Sequence, residues 1–141
     1  MFTGIIESTG QIVKTDYSRS KIELWVGVKT EIYLRTNIGD SIAVNGVCLT
    51  VVDKDDTLPP FAFIFDVVDE TLDKTNLRCL QLHEIVNIET SLKLSDGLDG
   101  HIVQGHIDTT GSIINNQLID DNWLLEVKID KKWLKYCIKK G

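Results

Sequence analysis

The fold is decided by the stretch FTGIIESTGQIV, residues 2–13, because it returns as VQGHIDTTGSII at residues 103–114. Both of its glycines are displaced by the same 101 residues, from Gly4 to Gly105 and from Gly10 to Gly111. At the same offset, IELWVGV (22–28) and WLLEVKI (123–129) share apolar residues at their first, third, fifth and seventh positions. Similarity at a fixed interval indicates a repeated unit. We therefore predict a duplicated β unit whose second copy stops at Gly141.

The first copy contains short β-branched or alternating segments with turn residues between them, a pattern typical of a barrel or sandwich. We predict strands at 5–15, 21–28, 41–44, 47–53, 62–67 and 85–90. Asn45-Gly46 supplies the positive φ values of a two-residue hairpin turn. Helical pieces are expected at 29–34 and 131–139, the latter capped by Asp130, with one short turn at 70–77.

The stretch 92–100 carries two glycines and two aspartates just before the repeat restarts, which predicts a linker. We accordingly predict a complete first domain at 1–96 and an incomplete second domain at 97–141.

Composition excludes several classes of function. The net charge is −6 and no basic stripe is present, which argues against a nucleic-acid partner. No apolar run is long enough to cross a bilayer, and the first residues do not resemble a secretory signal, so we expect a cytoplasmic protein without a membrane partner. The three cysteines show no C-x-x-C spacing, which predicts reduced thiols and no zinc site.

Two polar positions are candidates for chemistry. His106 stands opposite Ile5 in the repeat, so it is either a general acid/base or ligand contact, or a histidine satisfied by backbone at a domain junction. His101 is five residues away, which disfavours a metal shared between the two histidines. Cys48 and Thr50 alternate with apolar residues, so Cys48 lies either on a ligand-facing wall or in the core as a small apolar residue.

Asp66, Glu70 and Thr71 follow a predicted strand and are either hydrogen-bonding groups of a site or ordinary turn and cap residues. The sequence holds no phosphate-binding glycine loop, no G-x-S-x-G elbow and no H-E-x-x-H motif. The residues alone therefore predict a duplicated β fold with a polar ligand pocket.

Four of these segments, in the same order, resemble the riboflavin synthase family. They are Met-Phe-Thr-Gly-Ile at 1–5, Asn-Gly-x-Cys-Leu-Thr-Val at 45–51, Glu-Thr-Leu-x-x-Thr-Asn-Leu at 70–77, and Gly-His-x-x-x-Gly-His-Ile at 100–107. Asp99 replaces the first glycine of the last motif. The resemblance implies an all-β fold, a six-stranded Greek-key barrel followed by the first part of a second, similar barrel.

The resemblance also implies an activity. Members of the family convert two 6,7-dimethyl-8-ribityllumazine molecules into riboflavin and a ribitylamino-pyrimidinedione, by transfer of a four-carbon unit and without a metal or organic cofactor. The productive site in such enzymes forms between the N-terminal barrel of one subunit and the C-terminal barrel of its neighbour in a homotrimer. The implied ligands are therefore the lumazine and riboflavin.

Carried over by motif, Cys48, His106 and Ser41 are the implied catalytic residues. The implied substrate-binding residues are Gly4, Ile5, Ile6, Cys48, Leu49, Thr50, Asp66, Val67, Val68, Asp69, Glu70, Thr71, Gly105, His106, Ile107 and Lys140.

Two other interpretations stay open. One is a lumazine- or flavin-binding protein that shares the barrels and performs no chemistry. The other is an inactive fragment that still binds ligand through its first barrel, since the second Asn-Gly-x-x-Leu-Thr segment is absent and we expect the chain to be a shortened form of a two-barrel protein.

Overall fold

The computed structural model of this chain describes residues 1–17, 21–57 and 59–139. It divides into two compact units, Met1–Ile107 and Asp108–Gly141.

The first unit contains six strands and two short α-helices. The strands are β1 Ser8–Tyr17, β2 Lys21–Gly27, β3 Ser41–Val44, β4 Val47–Asp55, β5 Ala62–Val68 and β6 Ile85–Thr90. The helices are α1 Thr30–Arg35 and α2 Asp69–Lys74, and a 3-10 turn follows at Leu77–Cys79.

The six strands close into an antiparallel barrel in the order β1-β2-β5-β4-β3-β6. Strand β6 closes it by pairing with β1 on one side and with β3 on the other. The order departs from the sequence order at β5 and β6, as a Greek key requires. The prediction of a six-stranded Greek-key barrel is confirmed.

The barrel interior is filled by alternate residues of β1, β2 and β4, while consecutive residues of β3 and β5 are buried. Phe63, Phe65, Ile12, Val26 and Ile88 have no more than 1% of their surface exposed. Each such side chain contributes about 1.5–3 kcal/mol relative to an exposed one. The alternation that predicted the strands is thus the alternation between core and outer surface.

Most predicted strands end within two residues of the observed ones, and the largest difference is at the start of β1. Strand β1 begins at Ser8 and not at residue 5, because Gly4 has φ 82° and its N–H, with that of Thr3, bonds to the buried carboxylate of Glu89. These bonds turn the chain away from an extended course. The predicted turn at 70–77 is helix α2 followed by the 3-10 turn.

The second unit contains a hairpin of β7 Ser112–Ile119 and β8 Asn122–Lys128, followed by a 3-10 helix at Lys131–Tyr136. Asp130 accepts a hydrogen bond from the N–H of Lys132 at 3.1 Å, as expected of the cap. The helical piece predicted at 131–139 is a 3-10 helix and ends earlier than predicted, at Tyr136. Its apolar face has no core of its own unit beneath it, since Leu134 and Ile138 are 55% and 74% exposed.

Among the residues that the structure describes, no helix is long and apolar enough to cross a membrane.

Candidate functional site

The outer face of the β3–β4 hairpin forms one wall of the candidate site. Asn45 and Gly46 both have positive φ, at 49° and 82°, which makes the tight turn that Asn-Gly predicts. The turn sets the register in which Ala43 pairs with Cys48 and Ser41 pairs with Thr50. Val47, Leu49 and Val51 enter the core, so Cys48 and Thr50 lie on the outer face.

The second wall is the segment 100–107, which folds back over the barrel. Its Val103 pairs with Phe2 through two backbone hydrogen bonds of 2.7 and 3.0 Å. Its Gly105 accepts a hydrogen bond from the N–H of Cys48 at 2.9 Å. These bonds carry His106 and Ile107 to the outer face of β4.

Gly105 is required where this segment meets β4. Its φ is 77°, and a Cβ atom placed on it would lie 2.9 Å from the Cβ of Cys48 and 3.0 Å from the Cys48 nitrogen. Any side chain would therefore strain the backbone and push the segment off the strand.

Helix α2 forms the third wall. Leu72 is 3% exposed and anchors the helix to the core. Glu70, Thr71 and Lys74 lie on one side of the helix, since successive residues are about 100° apart, and Thr75 follows them as the C-cap. The Thr75 hydroxyl donates to the Thr71 carbonyl at 2.7 Å and ends the helix.

These three walls enclose a cavity of about 230 Å³, here called the α2 cavity. It is lined by Val47, Cys48, Glu70, Thr71, Lys74, Thr75, Gly105, His106 and Ile107. Six of these are implied site residues: Cys48, Glu70, Thr71, Gly105, His106 and Ile107. The structure therefore brings together residues from three of the four motifs.

The N-terminal motif lies elsewhere. Gly4 and Ile6 line a separate cavity that includes Ala43 and Gly46, and Ile5 lines another beside Glu89. Ile5 and Ile6 are 49% and 47% exposed. Within the first unit these residues do not reach the α2 cavity.

Ser41 lines a different cavity, of about 360 Å³, together with Arg35, Asp40 and Lys93. It is separated along β3 from the Ala43–Cys48 pair that adjoins the α2 cavity. In the first unit, Ser41 does not line the cavity that Cys48 and His106 line.

The other implied residues are dispersed around β4 and β5. Leu49 and Val67 point into the core, so only their backbone atoms face outward. Asp66 pairs with Lys21 at 2.6 Å and keeps its other carboxylate oxygen buried without a hydrogen-bond partner in the described part of the chain. Thr50, Val68 and Asp69 are exposed outside the α2 cavity, and Lys140 lies outside the described residues.

Sequence reasoning missed Lys74, whose ammonium lies 2.8 Å from the Glu70 carboxylate. The i,i+4 spacing was the available signal. The hydrogen bond from Lys74, followed by its positive charge, lowers the pKa of Glu70 below its ordinary value. The cavity thus contains a carboxylate held in its ionised form.

Glu89 was also missed, because nothing in its local sequence marks a buried carboxylate. It is 5% exposed and accepts from the Thr3 hydroxyl at 2.7 Å as well as from the Thr3 and Gly4 N–H groups. It fixes the N-terminal strand against which Val103 pairs, and so supports the segment that carries His106.

Within residues 1–17, 21–57 and 59–139, no group of three or more His, Cys, Asp or Glu side chains is arranged to hold a metal ion. What the α2 cavity offers is a thiol, an imidazole, hydroxyls and one paired carboxylate, a set suited to hydrogen bonding and proton transfer.

Comparison with known proteins gives a consistent picture. Residues 3–91 match the family model of the lumazine binding domain. The chain is 38% identical over 142 aligned residues to the riboflavin synthase of Mycobacterium tuberculosis (strain H37Rv), covering all of this chain and 68% of that relative. It is 35% identical to the riboflavin synthase of Bacillus subtilis (strain 168), covering 63% of it.

Solved structures share the fold. LumP complexed with riboflavin matches with a TM-score of 0.82 and 24% identity, over 96% of this chain and 71% of LumP. LumP complexed with 6,7-dimethyl-8-(1'-D-ribityl) lumazine matches with a TM-score of 0.80 over 98% of this chain.

Proposed function

Since the chain belongs to the lumazine-binding domain family, we propose that its barrel binds one 6,7-dimethyl-8-ribityllumazine in the α2 cavity, as half of a riboflavin synthase active site. The curated relatives are riboflavin synthases, which are transferases. The observation that carries the proposal is the convergence of Cys48, Thr71 and His106 on one cavity, although they are far apart in sequence.

The dimensions of the cavity support a shared site. Its volume of 230 Å³ is below the range of about 300–1,000 Å³ in which most small-molecule pockets fall. A lumazine bound there would be enclosed on one side only. The uncovered face of its ring would then be free to stack on a second lumazine.

When two lumazines are held face to face, one can transfer a four-carbon unit to the other. The acceptor becomes riboflavin and the donor becomes a ribitylamino-pyrimidinedione. The C7 methyl of the substrate is already acidic, so alignment of the two rings supplies much of the rate through proximity and orientation. In this proposal His106 transfers the proton, and Cys48 assists addition of a nucleophile to the ring. Ser41 lies further along the same hairpin and takes part at the edge of the site.

The second half of the site comes from another barrel. We propose that residues 97–141 begin that barrel, that Lys140 reaches the second substrate, and that the complete enzyme pairs barrels of neighbouring subunits in a homotrimer. We also propose Gly4, Ile5 and Ile6 as contacts of the lumazine, as the family motif implies, although in the first unit they line cavities beside the α2 cavity.

A binding protein without chemistry is the alternative, since LumP shares the fold and has been solved with riboflavin and with the lumazine. Cys48 and His106, retained together in one cavity, favour the enzyme. For the 141-residue chain itself, the remaining alternative is an inactive fragment that binds the lumazine without turnover.

The deciding experiment uses a full-length two-barrel version and its Cys48→Ser and His106→Ala variants. We expect each variant to lower the initial rate of riboflavin formation by about tenfold or more, which is below the roughly 10²–10⁴-fold typical of proton-transfer groups because alignment of the two rings supplies much of the rate. The free energy of unfolding, followed by thermal melts, should fall by less than about 1 kcal/mol, because both side chains are on the outer face.

Cys79→Ser is the matched control, because Cys79 is exposed and lies outside the cavity. If the Cys48 and His106 variants lose rate only in proportion to their loss of stability, both residues have a structural role and not a catalytic one. A spectral shift of the lumazine without turnover by the unmutated protein would support the binding protein.

A further inference from the structure

We propose that Lys74 is a positioning residue of the lumazine site, which fixes the Glu70 carboxylate at the α2 cavity as an ionised acceptor for N–H or O–H donors of the ligand. This inference rests on the proposed function and deepens it. Lys74 and Glu70 both line the cavity, and their charged atoms are 2.8 Å apart.

The geometry of α2 makes the pair possible. Glu70 precedes Lys74 by four residues, which is the favourable order for an ion pair on a helix. The buried Leu72 fixes the rotation of the helix, and in this rotation Glu70 and Lys74 both line the exposed rim of the cavity. Side chains of this length hold a single direction only when something constrains them, and the ion pair constrains both.

The pair is not needed for the fold. The side chains of Lys74 and Glu70 are 47% and 76% exposed, and an ion pair of this kind contributes little to stability. Its effect on a ligand is different, because an ionised carboxylate accepts hydrogen bonds and cannot donate them. The lumazine offers a ring imide N–H and ribityl hydroxyls as donors.

The titratable groups around the cavity come from three elements. They are Glu70 and Lys74 on α2, Cys48 on β4, and His106 on the segment that crosses β4. The hydrogen bond from Lys74, followed by its positive charge, holds the pKa of Glu70 below its ordinary value. Removal of Lys74 should therefore let the pKa of Glu70 rise toward its ordinary value.

The experiment titrates 6,7-dimethyl-8-ribityllumazine and riboflavin into the full chain and its Lys74→Met, Lys74→Arg and Glu70→Gln variants. We expect Lys74→Met to weaken binding near neutral pH by about fivefold, the effect of a hydrogen-bonded charge pair. Lys74→Arg should restore most of the affinity. In the Glu70→Gln background, Lys74→Met should have no further effect, because its action passes through Glu70.

A pH series between about pH 3 and pH 7 spans the titration of a carboxyl group. As the pH falls, Lys74→Met should lose affinity at a higher pH than the unmutated chain, since its Glu70 is protonated earlier. Arg78→Met is the matched control, because Arg78 pairs with Asp73 at 3.1 Å and neither lines the cavity.

Three results would contradict the inference. If the unmutated chain binds its ligands and Lys74→Met matches Arg78→Met in affinity and pH dependence, the inference alone fails. An undiminished effect of Lys74→Met in the Glu70→Gln background would also overturn it. If the unmutated chain binds neither ligand, the proposed function fails with it.

Discussion

The hairpins β1–β2 and β7–β8 have the same internal geometry and opposite environments. Ile12 pairs with Val26 in the first, and Ile113 pairs with Val127 in the second, each partner displaced by 101 residues. The irregularity in register also recurs, after Ile12 and after Ile113.

The glycines before the irregularity serve the same purpose. A Cβ on Gly10 would lie 2.9 Å from the carbonyl oxygen of Gly27, and a Cβ on Gly111 would lie 2.9 Å from that of Lys128. Both positions permit the two strands to approach closely. The agreement in register and in close contacts supports our inference of duplication.

Burial separates the two hairpins. Leu24 and Val26 of β2 are 2% and 0% exposed, whereas Leu125 and Val127 of β8 are 54% and 51% exposed. In the first unit β5 and β6 cover the hairpin, and the second unit has no further strands among its described residues. Local sequence thus determines the hairpin, while the remaining strands of a barrel determine whether its inner face is buried.

The largest expected effect comes from truncating the same apolar position in both hairpins. Leu24→Ala should lower the free energy of unfolding by about 3 kcal/mol, because it leaves a cavity in a closed core. Leu125→Ala should change it by less than about 0.5 kcal/mol. Denaturant unfolding monitored by tryptophan fluorescence measures both, since Trp25 lies in β2 and Trp123 in β8. Equal effects would show that the second hairpin is buried in solution.

A smaller effect is expected from equivalent glycines of the two copies. Gly105→Ala should destabilise the chain by about 1–3 kcal/mol through backbone strain and the clash with Cys48, and should weaken lumazine binding because the segment carrying His106 is displaced. Gly4→Ala has the same strain, but its nearest contact is a Val103 methyl at 3.8 Å, so the loss should be about 1 kcal/mol.

Melting curves and lumazine titrations of both glycine variants test this difference. If the two variants lose equal affinity, the close packing of Gly105 on β4 is not what shapes the cavity.

Much of the barrel follows from local sequence. Alternation in β4 predicts which residues enter the core, and Asn45-Gly46 predicts the hairpin that presents Cys48, because both signals act over a few residues. The helical piece at 131–139 forms over a shorter range than predicted, and its apolar residues Leu134 and Ile138 are exposed, because burial depends on partners outside the segment.

The site was less accessible to sequence reasoning. Glycines and aspartates predict a linker at 92–100, but they do not predict the backbone hydrogen bonds at its ends, where Leu92 donates to Met1 and His101, just beyond it, donates to Thr3. These are contacts between distant parts of the chain, which no local pattern encodes. The family motifs identified Cys48, Glu70 and His106 together, whereas spacing alone left each of them with a structural alternative.

We propose that the closed barrel of this chain forms one complete lumazine site. The most direct measurement is the stoichiometry of 6,7-dimethyl-8-ribityllumazine binding to the 141-residue chain by calorimetric titration, repeated with Gly105→Ala. The account predicts one lumazine per chain, with affinity weakened by the substitution. Absence of binding, two lumazines per chain, or binding indifferent to Gly105→Ala would contradict it.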